Sequence, residues 1–256
     1  MCGRYASSRA GDDLVDEFDV DPSAWVPPVA VDYNVAPTKH VPVVLARAPR
    51  GEPDAAPVRR LQLARWGLVP SWAKDPSIGN RMINARLETA AEKPSFRKAF
   101  ASRRALVPAD GYYEWYASSA RDAKGKPVKQ PFFIRPSDGG VLAMAGLYEL
   151  WRDPSASDDD DPWLWSFTIL TTTAEDDIGR LHDRMPLLLE RSDHARWLDP
   201  GVTDTDDVAS MLVPAAPGRL EAFPVSRAVN NVRNEGPELV DPIPLSDVPA
   251  DVLEAG

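Results

Sequence analysis

Residues 104–115 read RALVPADGYYEW. Arg104–Val107 and Tyr112–Trp115 are short β-prone runs, and Asp110-Gly111 is a turn that leads into the second of them. The same alternation of β-branched and aromatic residues with Pro, Gly or Asp recurs at Val41–Ala46, Arg60–Leu68, Phe132–Arg135, Val141–Tyr148 and Trp165–Thr172. Helical patterns are fewer: Asp12–Phe18, Thr89–Phe100, Ala174–Leu181, Ser192–Leu198 (with Ser192 as its N-cap) and Thr205–Leu212. The 26 prolines keep every element short. Strands do not alternate regularly with helices, so a doubly wound parallel sheet is a poor fit. The sequence predicts an α+β protein with a β-rich core of curved, mostly antiparallel, barrel-like sheet and peripheral helices. No linker divides it. One domain is expected over residues 2–240, with an exposed loop at Trp151–Pro162 and a loosely held acidic tail at 241–256.

Composition narrows the function. Hydrophobic residues make up 43% of the 256, enough for a sizeable core. No apolar run approaches the ~20 residues of a membrane span, and no signal-peptide pattern opens the chain. With one cysteine and three scattered histidines, neither a disulfide framework nor a metal site is expected, and no cofactor is implied. These features predict a cytoplasmic monomer with no membrane partner. The net charge of −10 argues against nucleic acid at first. The acid is concentrated, however, at Asp158–Asp161, around Asp204–Asp207 and in the tail, while Arg81–Arg104 is locally basic. That stretch is either a solvated helix surface or a binding field.

The single cysteine stands at position 2, behind the initiator methionine. Removal of Met1 would give one residue an α-amine and a thiol on adjacent carbons. Such a 1,2-aminothiol reacts with an aldehyde: the amine forms an imine and the thiol closes a thiazolidine, an intramolecular step favoured by proximity. An α-amine near pH ~7.8 is about a quarter neutral in the cytosol, and a thiol near ~8.5 is several per cent thiolate. The alternative is that Cys2 is a small apolar core filler.

Other residues could serve such a site. In an extended N-terminus Arg4 shares a face with Cys2 and could hold a phosphate, or it is a surface arginine. Asn84 and Arg86 share a face if extended, suiting a polar substrate and a phosphate; otherwise they are a turn asparagine and a helix-start arginine. Glu114, among bulky aromatics, is a candidate general acid or base with a raised pKa, or an edge-strand glutamate facing solvent. His182 could shuttle protons or be structural. Trp66 reads as core, whereas Trp72, in a loop after Pro70 and Ser71, could stack on a nucleobase or be packed inside.

In order along the chain, "MCGRY", "YNVAPT", "RWGLVPSWAKD", "INARLETAAEKPSFRKAF", "RALVPADGYYEW", "QPFFI", "TTTAEDDIGRLHDRMPLLL" and "PVSRAVNNVRNEGPELV" resemble the SRAP family of SOS-response-associated peptidases, also called abasic-site processing proteins. The resemblance runs from Cys2 to about Val240. It implies a single α+β domain with a basic groove for single-stranded DNA, and a Cys2 that crosslinks to the ring-opened aldehyde of an abasic site. It implies that Asn84, Glu114 and His182 act with Cys2, that Arg4 and Arg86 contact phosphates, and that Trp72 wedges against bases. It places Ser226, Arg227 and Asn230 at the pocket without a firm role. Lyase and autoproteolytic activities are compatible with it, as is association with the nucleoid if the chain is bacterial. Two alternatives stay open: a thiol peptidase using Cys2, and a non-catalytic single-stranded DNA binder.

Overall fold

The computed structural model describes the chain except residues 1, 25, 50, 53, 158–160, 175–180, 213–217 and 254–256. Its strands are β1 (Tyr5–Ser7), β2 (Asp32–Val35), β3 (His40–Arg47), β4 (Val58–Trp66), β5 (Asn84–Arg86) and β6 (Arg104–Ala109). They continue as β7 (Gly111–Arg121), β8 (Pro127–Pro136), β9 (Leu142–Arg152), β10 (Trp163–Thr173), β11 (Arg184–Pro186) and β12 (Leu220–Pro224). The short helices are α1 (Gly11–Glu17), α2 (Leu87–Ala90), α3 (Arg97–Ser102), α4 (His194–Leu198), α5 (Thr205–Ser210) and α6 (Ala250–Leu253).

Period-2 patterning builds two β layers. In the first, β10, β4, β3, β6 and β9 pair in that order, and β9 pairs back with β10, closing a barrel. Alternate residues point inward, so Val43, Leu45, Trp66, Val107, Phe167 and Ile169 share one cluster. Their outward neighbours, such as Val44, Leu106 and Leu147, are covered by Phe100, Trp197 and Val208 of the helices. Being buried on both faces, β6 is apolar at nearly every position, and its one charged residue, Arg104, donates to five backbone carbonyls. In the second layer, β12, β8, β7, β1 and β2 form an antiparallel sheet. In the first, the β4–β10 and β5–β10 pairings are parallel and the rest antiparallel. The expected α+β, mostly antiparallel, barrel-like architecture therefore forms, and each strand run read from the sequence overlaps a strand, with Arg60–Leu68 running two residues past the end of β4 and Val141 one residue before β9.

Several local expectations change. The single helix expected at Thr89–Phe100 is two, α2 and α3, because Pro94 lies between them and lacks the N–H a continuous helix needs. Ser192 lies inside a 3-10 turn, Arg191–Asp193, and does not cap α4. Most of the helix expected at Ala174–Leu181 lies outside the described residues. The tail is docked through Val252: Val248 and Val252 pack on Phe132, and Asp251 accepts from the Ser118 hydroxyl at 2.8 Å. No helix among the described residues is long and apolar enough to cross a membrane.

Candidate active site

The site forms where the two layers meet at the N-terminus. Tyr5 pairs with Tyr112 and Ala6 with Gly111, and the Tyr113 N–H donates to the Arg4 carbonyl at 2.9 Å. On the other side of β7, Gly111 permits the close approach of β8, since a Cβ there would sit 2.5 Å from the Ile134 carbonyl oxygen. The register carries the residues before Tyr5 along β7 toward Glu114. Cys2 is wholly buried, in the same cluster as Tyr5, Tyr112 and the barrel interior. Its Sγ lies 3.8 Å from the Arg4 carbonyl oxygen. Burial pushes the thiol pKa up, and the nearby Glu114 carboxylate adds to the rise.

Asn84 reaches Cys2 from the barrel. β5 is fixed beside β10 by parallel pairing, Asn84 opposite Ile169, while the Trp66 indole N–H holds the Ile83 carbonyl at 2.9 Å. The Asn84 amide then donates to the Cys2 carbonyl at 2.7 Å. Its own Oδ1 is buried without a partner among the described residues. Asn84 and Arg86 share a face of the extended β5, and Arg86 is exposed.

Glu114 is 3% exposed on β7, an interior strand of its sheet rather than an edge. Desolvation raises its pKa, and His182 is near enough to oppose that rise. His182 Nδ1 lies 2.9 Å from the Arg184 N–H and 2.8 Å from Asp183 Oδ1. The neutral ring accepts from the first; a protonated ring pairs with the second. Arg184 grips Glu88 through both guanidinium nitrogens and also donates to the Thr171 carbonyl, which ties the histidine segment to α2 and β10.

The remaining candidates divide. β1 begins only at Tyr5, so Arg4 does not follow Cys2 inward as an extended N-terminus would require. Its guanidinium donates to Asn34 Oδ1 at 2.6 Å and the Val229 carbonyl at 2.9 Å, with Trp115 5.8 Å away. Asn34, fully buried, in turn donates to the Asn231 and Asn234 carbonyls, so this pair ties β2 to the 226–234 segment. There Ser226 caps the 3-10 turn Arg227–Asn230, Asn230 accepts from the Trp115 indole at 2.6 Å, and Arg227 is exposed. Trp72 is 58% exposed, on a loop pinned where the Trp151 indole donates to the Ala73 carbonyl. The loop closes through two glycines back to back: Gly67 (φ +120°) would put a Cβ 2.5 Å from the Gly79 oxygen. Among the described residues, Arg81, Arg86, Lys93, Arg97 and Lys98 form no ion pair and are exposed. Arg103 and Arg104, counted with them in the sequence, are tied to Glu149 and to backbone carbonyls. Sequence reasoning assigned no role to Asn34 or Tyr5, although "YNVAPT" and "MCGRY" contain them.

A family model described as SOS response associated peptidase (SRAP) matches residues 1–232. A Bacillus subtilis protein named abasic site processing protein YoqW is 38% identical over 241 residues, covering 94% of this chain and 99% of that one. A Xenopus tropicalis protein named abasic site processing protein HMCES is 29% identical over 292 residues, covering 100% of this chain and 82% of that one. Among solved structures, a protein from Bacteroides thetaiotaomicron superposes with a TM-score of 0.76 at 23% identity, over 94% of this chain and 100% of that chain, a likeness of fold. A phage-related protein from Bordetella bronchiseptica reaches a TM-score of 0.62 at 28% identity, over 88% and 95%. By its family match and its 38% identical relative, the chain belongs to the SRAP family.

Proposed function

We propose that this protein captures abasic sites in single-stranded DNA by a covalent bond to Cys2, once Met1 has been removed. The observation that carries this reading is the 2.7 Å hydrogen bond from Asn84 to the Cys2 carbonyl, made beside the buried Glu114. It holds the residue that would become the terminus, and therefore both its amine and its thiol, in one place. The relatives named abasic site processing proteins support the substrate class.

The chemistry follows in balanced steps. An abasic deoxyribose opens to an aldehyde. The Cys2 α-amine adds to its carbon, and the carbinolamine loses one water to give an imine. Glu114, whose pKa burial raises, supplies in its protonated form the proton that lets hydroxide leave as water. His182 moves the proton as the sugar ring opens. The sulfur then bonds to the imine carbon, the C=N π pair becomes the nitrogen lone pair, and the thiol proton ends on that nitrogen. The product is a thiazolidine. The imine also allows β-elimination at the neighbouring carbon, a route to weak lyase activity. The exposed Trp72 and Arg86 would engage an unpaired base and a backbone phosphate, which single strands leave accessible.

Incubation with an abasic oligonucleotide, followed by denaturing electrophoresis and intact mass analysis, tests the proposal. The expected adduct has the mass of the Met1-less chain plus the oligonucleotide less one water. An undiminished adduct from Cys2→Ala, or one that retains Met1, overturns it.

A further inference from the structure

The residues around Cys2 include two hydroxyls that the steps above do not use. Tyr5 and Tyr112 are paired directly across β1 and β7, and both are wholly buried. On β7, Tyr112 and Glu114 share a face. Both rings lie in the cluster that holds Cys2. Neither hydroxyl oxygen has a hydrogen-bond partner among the described residues.

That is costly. A buried hydroxyl left unpaired pays its desolvation cost without return, and phenylalanine would pack the same ring without that loss. Other buried aromatic donors are satisfied, although Gln130 Oε1, Thr168 Oγ1 and both His194 nitrogens are also buried without a partner among the described residues. Tyr113, one residue along on the opposite face, donates to the Tyr33 carbonyl at 2.8 Å. The Trp66 and Trp197 indoles are likewise satisfied, by the Ile83 and Ala105 carbonyls. Among the described residues, Tyr5 and Tyr112 are the tyrosines whose buried hydroxyls lack a partner, and both lie on the strand registers that flank Cys2. Charge on the Cys2 sulfur is felt at both phenols, and charge on Glu114 at Tyr112; with burial as the larger cause, each stays protonated and hence a donor.

The chemistry has a need that matches. Cys2 sits where an anionic sulfur is disfavoured by burial and by Glu114. Ring closure nevertheless requires the S–H bond to break as the S–C bond forms. In the resting structure the thiol donates to the Arg4 carbonyl, an acceptor, which cannot stabilise a developing thiolate.

The geometry points to Tyr5 and Tyr112 as positioning residues whose hydroxyls donate hydrogen bonds to the Cys2 sulfur as it gives up its proton and closes on the imine carbon. Neither tyrosine loses its own proton in the step; the thiol proton passes to the nitrogen. This assignment rests on the covalent capture proposed above and concerns its last step alone.

Tyr5→Phe, Tyr112→Phe and the double variant test it with an abasic oligonucleotide in single turnover. Borohydride traps the imine and leaves the thiazolidine untouched, so imine formation and ring closure are read separately. We expect imine formation at the wild-type rate, ring closure slowed about tenfold or more in the double variant, and a melting temperature unchanged or raised. Ring closure at the wild-type rate in the double variant overturns the assignment. A wild-type protein that forms neither species instead defeats the capture reading itself. Iodoacetamide labelling of Cys2 across pH supplies a readout without DNA. Its profile should move to higher pH in each single variant that folds, and an unmoved profile counts against the assignment equally.

Discussion

Asn84→Ala isolates the contact on which the proposed function leans. The amide donates to the Cys2 carbonyl at 2.7 Å, and its oxygen bonds to nothing among the described residues. Truncation therefore removes one hydrogen bond, with a net value of about 0.5–1.5 kcal/mol. At 1.4 kcal/mol per decade, and with the lost bond serving to hold the nucleophile rather than the DNA, crosslinking should slow by about two- to tenfold at saturating DNA. Affinity for an intact strand should stay within about twofold. Asn84→Asp should be worse by roughly another tenfold, because a carboxylate cannot donate to the carbonyl and adds negative charge near a thiol that Glu114 already opposes. The assay is single-turnover crosslinking of a labelled abasic oligonucleotide by excess protein, quenched in denaturant and resolved on a gel. Wild-type rates from Asn84→Ala at saturation would refute the reasoning. So would a loss that vanishes when the DNA concentration is raised, because the contact would then serve binding rather than positioning.

Two further variants probe electrostatics and DNA contact. Burial raises the Glu114 pKa above the ordinary glutamate value of 4.5, so the unfolded chain sheds this proton at lower pH than the folded one. Stability contributed below that value is lost as pH climbs through the raised one. Glu114→Gln, which does not titrate, should therefore be more stable than wild type at pH 8, with the gap narrowing toward pH 4; urea melts giving the same gap at both would contradict a desolvated carboxyl. Trp72→Ala should change stability by less than about 0.5 kcal/mol, since the ring is 58% exposed, yet cost about 1–3 kcal/mol in affinity for single-stranded DNA. Fluorescence anisotropy showing unchanged affinity would remove the indole from the DNA path.

The sequence was most informative where at least one face of an element is buried. The run at Trp165–Thr172 alternates over its first half because its two faces differ, whereas Val41–Ala46 is apolar throughout because both of its faces are covered, and in both cases β-branched and aromatic content marks the strand without any knowledge of partners. Three-residue strands such as β1 and β5 are too short to carry a period, so Asn84 was extended only conditionally, and its hold on Cys2 was invisible. Glu114 was legible as a desolvated acid because aromatics flank it on one strand. Arg4 was placed on the face of Cys2 only if the N-terminus is extended; its carbonyl does pair with the Tyr113 N–H, but its guanidinium turns to distant partners. Its partners, Asn34 and Val229, lie 30 and 225 residues away, and no local pattern encodes such separations. Tyr5 and Tyr112 were legible as aromatic but not as unsatisfied, since satisfaction depends on the whole three-dimensional neighbourhood.

The ionisation of Cys2 also orders the competing chemistries. A thiol peptidase attacks with a thiolate, so its cysteine needs an ionisation lowered by an adjacent imidazolium, a helix N-terminus or another cation. Cys2 has the opposite surroundings: full burial and a carboxylate, both favouring the neutral thiol. The His182 Nδ1 is already within hydrogen-bond distance of the Arg184 N–H and of Asp183. A mechanism that begins with the thiol would therefore start from its least populated form. A mechanism that begins with an amine does not, because the amine needs only to be neutral, and the sulfur enters after the imine has fixed the electrophilic carbon within its reach. At that stage the attack is intramolecular, and the advantage of proximity can offset an unfavourable ionisation in a way that encounter with a free peptide bond cannot. Burial of the nucleophile, a liability for a protease, is then compatible with the proposed capture, since it keeps a resting thiol from reacting with anything that has not first engaged the amine.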